Sequence, residues 1–178
     1  MDDNIMENNI VEPQEIAFTK VSLPFGWLGN MAPYPVKHEG KSYKTTEALF
    51  QALRFKDFPE VQELIMAEKS PMGCKMVAKS HFKLLNGYQP GCQEDLDNMR
   101  LCLRLKVDQH SELKEQLVAT NDIKIIENCS SRPHGTGLIW GAAFQEGKWV
   151  GKNVLGVLWE ELREQLKLEL DSVKKPKM

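Results

Sequence analysis

Apolar and polar residues alternate weakly over residues 16–22, from Ile16-Ala17-Phe18 to Val21-Ser22, with the period of a short strand. Residues 122–127, Asp122-Ile123-Lys124-Ile125-Ile126-Glu127, read as another. Val36-Lys37-His38 and Ser42-Tyr43 flank Glu39-Gly40-Lys41, a spacing that predicts a hairpin. The rest of the periodic sequence is helical. Pro59 suits a first helical turn and is followed by Val61, Leu64, Ile65 and Glu68; Ser70-Pro71 repeats that start with a capping residue. Leu96, Met99, Leu103 and Val107 mark a further helix, and Ser111 is expected to cap one carrying Leu113, Leu117 and Val118. A final helix from about Asn153 carries Leu155, Leu158, Leu162, Leu166 and Glu169, with Glu160, Glu161, Arg163 and Glu164 as polar positions between. Gly156 costs ~1 kcal/mol relative to Ala inside a helix, which points to close approach by another backbone or a ligand. Residues 24–33 and 128–152, rich in Gly and aromatic side chains, read as shaped loops, where function often sits.

One helix differs from the others. In residues 44–55, Thr45 is a candidate N-cap, which puts Glu47 in the first turn, where free backbone N–H groups favour an anion. Glu47, Gln51 and Arg54 fall on one face by their spacing. Phe50 and Phe55 flank that face, while Ala48, Leu49, Ala52 and Leu53 cover most of the remaining circumference, so the helix is expected to be buried. A narrow polar stripe on a buried helix is either a pocket wall or an internal Glu–Arg pair that only holds the helix in place. Desolvation outweighs a helix terminus worth ~0.3–1 kcal/mol, so a carboxyl lining an apolar pocket here suits proton exchange near neutrality.

With 178 residues and 42% hydrophobic content, the chain fits one domain, expected over residues 15–170, after a leader at 1–14 and before a basic tail at 171–178. The 23 basic and 25 acidic residues give a net charge of −2, without the basic field that gathers nucleic-acid phosphates, so no bulk nucleic-acid binding is expected. No apolar run approaches the roughly 20 residues that span a bilayer, and the acidic Met1-Asp2-Asp3-Asn4 lacks the charge of a signal peptide, so a cytoplasmic protein without membrane partners is expected. Cys74, Cys92, Cys102 and Cys129 form no C-x-x-C pair and read as reduced structural thiols. His38, His81, His110 and His134 are scattered, and neither a metal nor another cofactor is expected. The sequence does not specify an oligomeric state.

In order and spacing, Phe25-Gly26-Trp27-Leu28-Gly29-Asn30-Met31, Thr46-Glu47 with Phe50-Gln51-Ala52, Ser70-Pro71, Met99 with Lys106, Thr120-Asn121-Asp122 with Glu127, Trp140-Gly141, and Gly151-Lys152-Asn153-Val154-Leu155-Gly156 resemble the NADAR, or YbiA-like, family over about residues 23–166. The resemblance implies a compact α+β fold, rich in helices with a small sheet, and a pocket for a ribose-bearing nucleotide-like substrate. It also implies hydrolysis of an N-glycosidic bond. Two substrate classes are associated with the family: ribosylamino-pyrimidine phosphates of riboflavin synthesis, and ADP-ribose attached to guanine. Carried over residue by residue, Glu47 would be the acid/base carboxylate. Trp140 and Gly141 would shape the pocket, Asn153 would add polar contacts, and Lys106 would bind phosphate or the sugar. Trp27, Asn30, Gln51 and Arg54 complete the expected substrate-binding set, with Trp27 or Trp140 stacking on the heterocycle and Arg54, Lys106 and the loop around Gly151 holding phosphate.

Ala48, Arg54 and Ala142 depart from the family pattern, standing where His, Lys and an acidic residue are frequent, and residues 130–137 form a longer approach to Trp140. The loss of a carboxylate at Ala142 leaves Glu47 to share its work with Asp122, Glu127 or His134. Breaking a ribosyl C–N bond develops positive charge on the sugar and requires a proton for the departing nitrogen, and Glu47 suits either need. The competing class is a module that binds ADP-ribose or NAD without cutting it, a reading that Ala48 and Ala142 favour. A third is an interaction protein in which the Glu47 stripe is structural.

Overall fold

The computed structural model describes residues 14–174. These form seven helices and three two-stranded ladders: α1 (Thr46–Leu53), α2 (Pro59–Ala67), α3 (Pro71–His81), α4 (Gln93–Gln109), α5 (Ser111–Ala119), α6 (Gly137–Trp140) and α7 (Val154–Lys174), with β1 (Glu15–Phe18), β2 (Val36–His38), β3 (Lys41–Tyr43), β4 (Lys124–Glu127), β5 (Ala143–Gln145) and β6 (Lys148–Val150). The α+β class follows, with the expected small sheet divided into a parallel β1–β4 pair and two hairpins, β2–β3 and β5–β6.

Helix α1 is the centre of the packing. Thr45 caps it by accepting the Ala48 N–H at 3.1 Å, and every residue from Thr46 to Ala52 is buried. It packs against α2, α3 and α4, while α7 lies over β4 and α4. Leu28, Leu49, Phe55, Ile65, Leu103, Leu117, Ile125 and Trp159 form one continuous core between these elements. Both hairpins turn on a Glu-Gly pair in left-handed conformation, Glu39-Gly40 (φ 48° and 75°) and Glu146-Gly147 (φ 48° and 80°), the two-residue turn that matches strand twist.

Strand β4 carries the chain into the site. On one edge it pairs with β1 from Glu15 opposite Lys124 to Phe18 opposite Glu127. Its other edge is closed by side chains: Glu160 accepts the Ile125 N–H at 2.7 Å, and Asn153 bonds both the Glu127 N–H and the Ile125 carbonyl. Gly156 is the reason α7 can come so near, because a Cβ there would overlap the Ile125 carbonyl oxygen.

Several expectations change. The first strand stops at Phe18, because β4 offers only four partners and the chain then turns at Lys20, whose carbonyl accepts the Leu23 N–H. The strand expected from Asp122 begins at Lys124, since Asn121 turns with φ 53° and Ile123 N–H closes on the Thr120 carbonyl. Ser111 is the first residue of α5 rather than its cap, and His110 sits at the junction with α4. Leu64 is exposed, because α2 turns Val61 and Ile65, with Met66 partly covered beside them, to the core. Arg163, read as a polar surface position, is buried, and its guanidinium donates to Thr120 Oγ1 and the Ile123 carbonyl. Helix α7 continues to Lys174, into the stretch assigned to the tail. The rest of that tail and residues 1–13 of the leader lie outside the described residues.

Candidate active site

Glu47 enters its surroundings from the first turn of α1. Its N–H donates to the Asn30 carbonyl at 2.9 Å, which ties the helix start to the loop of residues 24–33, and the residue is 7% exposed. One carboxylate oxygen accepts Gln51 Nε2 at 2.7 Å. Gln51 in turn accepts Arg54 Nη1 at 3.0 Å, so the stripe is a relay and not a direct Glu–Arg pair. Arg54 pairs with Asp95, with Nε to Oδ1 at 2.9 Å and Nη2 to Oδ2 at 3.0 Å.

The second carboxylate is Glu127, at the end of β4. Burial, and then the negative charge of Glu47, push its carboxyl from 4.5 up to about 7, partly offset by Lys75 on α3. Glu47 is thus close enough to Glu127 for the charge of one to alter the titration of the other. Burial raises the thiols of Cys74 on α3 and Cys102 on α4, with a further contribution from Glu47 in each case, which locates that carboxylate among α3, α4 and β4. Of the three groups proposed to share its work, Asp122 is exposed and paired with Lys167 at 2.8 Å, and His134 is exposed in the loop before α6. Glu127 is the one the fold brings to Glu47.

The floor beside Glu127 is backbone. Asn153, at φ 50°, accepts the Glu127 N–H through Oδ1 at 3.0 Å and donates through Nδ2 to the Ile125 carbonyl at 2.8 Å. Its own N–H reaches the Gly141 carbonyl at 3.0 Å, and the Ala142 N–H donates to the Glu127 carbonyl at 2.9 Å. A Cβ at Gly141 would overlap that Glu127 carbonyl, and one at Gly151 would fall 2.6 Å from the Gly141 carbonyl oxygen. Three strands of chain therefore stack at backbone distance here. Trp140, half-buried at the end of α6, meets Phe50 edge-on with ring centres 5.3 Å apart.

The remaining expected site residues are placed differently from one another. Trp27 is buried and packs edge-on against Trp159 at 5.9 Å, so its ring belongs to the core. Asn30 is half-buried, and its Oδ1 is buried without a hydrogen-bond partner. Lys106 is fully buried, donates to the Trp27 and Gly29 carbonyls and lies near the Tyr34 and Trp159 rings, and burial brings its ammonium from 10.5 down to about 7. It fastens the loop carrying Asn30. Lys75, exposed on α3, is the cation that acts on Glu127 and has no ion-pair partner among the described residues. Nothing in its sequence neighbourhood marks it, because Glu127 lies more than fifty residues further along the chain. Among the described residues no group of His, Cys, Asp and Glu is arranged to hold a metal ion, all four cysteines are free, and no helix is long and apolar enough to cross a membrane.

The NADAR domain pattern matches residues 17–167. The chain belongs to the NADAR family. It is 34% identical over 161 residues to a protein named N-glycosidase YbiA from Escherichia coli strain K12, a match covering 90% of this chain and 94% of that one. It is 28% identical over 166 residues to a riboflavin biosynthesis protein of Vibrio vulnificus, covering 90% of this chain and 41% of that longer one. The NMR structure of E. coli YbiA has the same fold, with a TM-score of 0.70, 30% identity, and coverage of 91% of this chain and 89% of that one. These relatives support N-glycosidase-type chemistry for this NADAR protein in general terms.

Proposed function

We propose that this NADAR protein hydrolyses the N-glycosidic C–N bond between ribose and a heterocycle in a nucleotide-like substrate. The observation that carries the reading is the Glu47–Glu127 pair, two carboxyl groups within electrostatic range of one another, in which burial and then the Glu47 charge push Glu127 up to about 7. Pairs whose surroundings drive their protonation apart divide acid and base work between them. In the proposed reaction Glu127 gives its proton to the departing nitrogen as the C–N bond breaks. The negative charge of Glu47 stabilises the cationic sugar and takes a proton from the water that adds to C1, leaving a free base and a ribose with a hydroxyl at C1.

Trp140, backed by Phe50, supplies an aromatic surface for the heterocycle, and Asn153 and Gly141 hold the Glu127 backbone at the floor. Lys75 is the better placed cation for phosphate, since Arg54 is bound to Asp95 and Lys106 to two carbonyls. The substrate is either ADP-ribose on guanine or a ribosylamino-pyrimidine phosphate. Free cysteines fit a reducing, cytoplasmic setting.

The test is incubation of the wild type and Glu47→Gln with an oligonucleotide carrying ADP-ribosylated guanine, with the ribosylamino-pyrimidine phosphate, and with NAD, followed by mass spectrometry. Free ADP-ribose or ribose phosphate released by the wild type alone establishes the reaction, and the substrate consumed decides the class. Binding of NAD or ADP-ribose without release from any substrate would replace the hydrolase with a binding module.

A further inference from the structure

Behind Glu47 stands a row of side chains almost withdrawn from solvent, Gln51, Arg54 and Asp95. Gln51 gives Nε2 to Glu47 and receives Arg54 at Oε1. A guanidinium only donates, so the amide atom facing Arg54 has to be the oxygen, and the NH2 group is thereby turned toward the carboxylate. Arg54 itself has no freedom to turn, since its fork engages both Asp95 oxygens and its plane lies over Phe50 at 4.3 Å and near Tyr88 at 5.1 Å.

Asp95, 1% exposed in the first turn of α4, ends the row. It also accepts the Tyr88 hydroxyl at 2.8 Å and the Gly91 N–H at 2.9 Å, so its oxygens are held by four donors from three residues. A buried ion pair is by itself weak evidence for stability. Here the direction of the hydrogen bonds gives it a second consequence, because each donor fixes the next until the last one fixes a Glu47 oxygen.

We propose that Asp95 is a positioning residue, which through Arg54 and Gln51 holds the Glu47 carboxylate in its working orientation. The inference rests on the reading of Glu47 as an acid/base group. A misplacement on the order of 1 Å at such a group costs up to ~10²-fold in rate.

Arg54→Lys keeps the charge and the contact with Asp95 but lacks the fork that reaches Gln51 at the same time. With whichever of the three substrates the wild type consumes, Arg54→Lys and Asp95→Asn are expected to lower kcat about 10- to 100-fold with KM unchanged. In a Gln51→Met background, where the relay is already cut, Asp95→Asn is expected to add nothing further. In NMR spectra the Gln51 side-chain NH2 signals are expected to be shifted and slow to exchange in the wild type, and to move to free-amide positions in Arg54→Lys. Unchanged kcat in folded Arg54→Lys, additive losses in the Gln51→Met background, or unmoved NH2 signals would each overturn the inference while leaving the hydrolase reading intact. If Asp95→Asn does not fold, Arg54→Lys carries the comparison. A wild type that consumes none of the three substrates overturns the hydrolase reading instead, and the NH2 signals alone then decide whether the relay orients Glu47.

Discussion

Asn153 receives the backbone N–H of Glu127 on its side-chain oxygen at 3.0 Å, so a residue at the start of α7 fixes the strand end that carries the second carboxylate. Its left-handed φ of 50° is what lets the same residue also bond Gly141 through its N–H.

Glu47→Gln keeps the shape and the hydrogen bond to Gln51 within reach while removing the charge. Turnover of the wild type's substrate is expected to fall ~10²–10⁴-fold, with an unchanged circular dichroism spectrum and unfolding midpoint. Wild-type turnover would exclude Glu47 from the chemistry.

Glu127 as proton donor makes the rate depend on its protonated form. The wild-type kcat is expected to decline as pH rises through about 7, an apparent value that belongs to the coupled pair. Glu127→Gln should be slower and should lose that limb of the profile, which a rate measurement between pH 5 and 9 reads directly.

The same shift has a stability consequence of definite sign. Between pH 4.5 and about 7 the folded state holds a proton on Glu127 that the unfolded state has released, so folding stability contributed by this group declines with rising pH and levels off above 7. Glu127→Gln escapes the decline. Its urea midpoint relative to the wild type is expected to rise from pH 4.5 to 8 by the equivalent of about 1–3 kcal/mol, after allowance for partial exposure.

Lys106 runs the other way. Its folded ammonium is lowered from 10.5 to about 7, so between those values the unfolded state binds the extra proton and the wild type gains stability as pH rises. Below 7 both states carry the charge, and the desolvation penalty is fully present. The midpoint difference between wild type and Lys106→Met should therefore shift in favour of the wild type from pH 7 to 10, as followed by urea unfolding.

Gly156→Ala sets a methyl group against the Ile125 carbonyl and the Asn153 side chain. A loss of about 1–3 kcal/mol is expected from thermal unfolding, together with reduced turnover in the folded fraction, since Asn153 is displaced from Glu127.

Local chemistry made much of this readable from sequence. The Thr45 cap, the Ser70 cap accepting the Gly73 N–H at 3.0 Å and the β2–β3 hairpin each depend on residues a few positions apart, and the close approach at Gly156 was marked by a glycine inside a helical pattern. The choice of Glu127 over Asp122 and His134 was not readable, because it depends on how the end of β4 is held between β1 and α7. Nor was the partner of Arg54, which lies 41 residues away in sequence, or the burial of Lys106, expected to reach substrate, and of Arg163, expected among polar positions, both of which donate to groups distant in sequence. Charged residues are ordinarily left in water, and nothing local announces the exceptions.

The β1–β4 ladder bears on when the two carboxyl groups can come together. Glu127 sits at the register position opposite Phe18, and its strand is closed on the far side by Asn153 and Glu160. A ribosome making this chain releases Glu47 early, yet the strand that presents its counterpart has to wait both for β1 to be recruited across more than a hundred residues and for α7 to emerge. The nascent polypeptide therefore carries half a pair until β1, β4 and α7 have all emerged and docked.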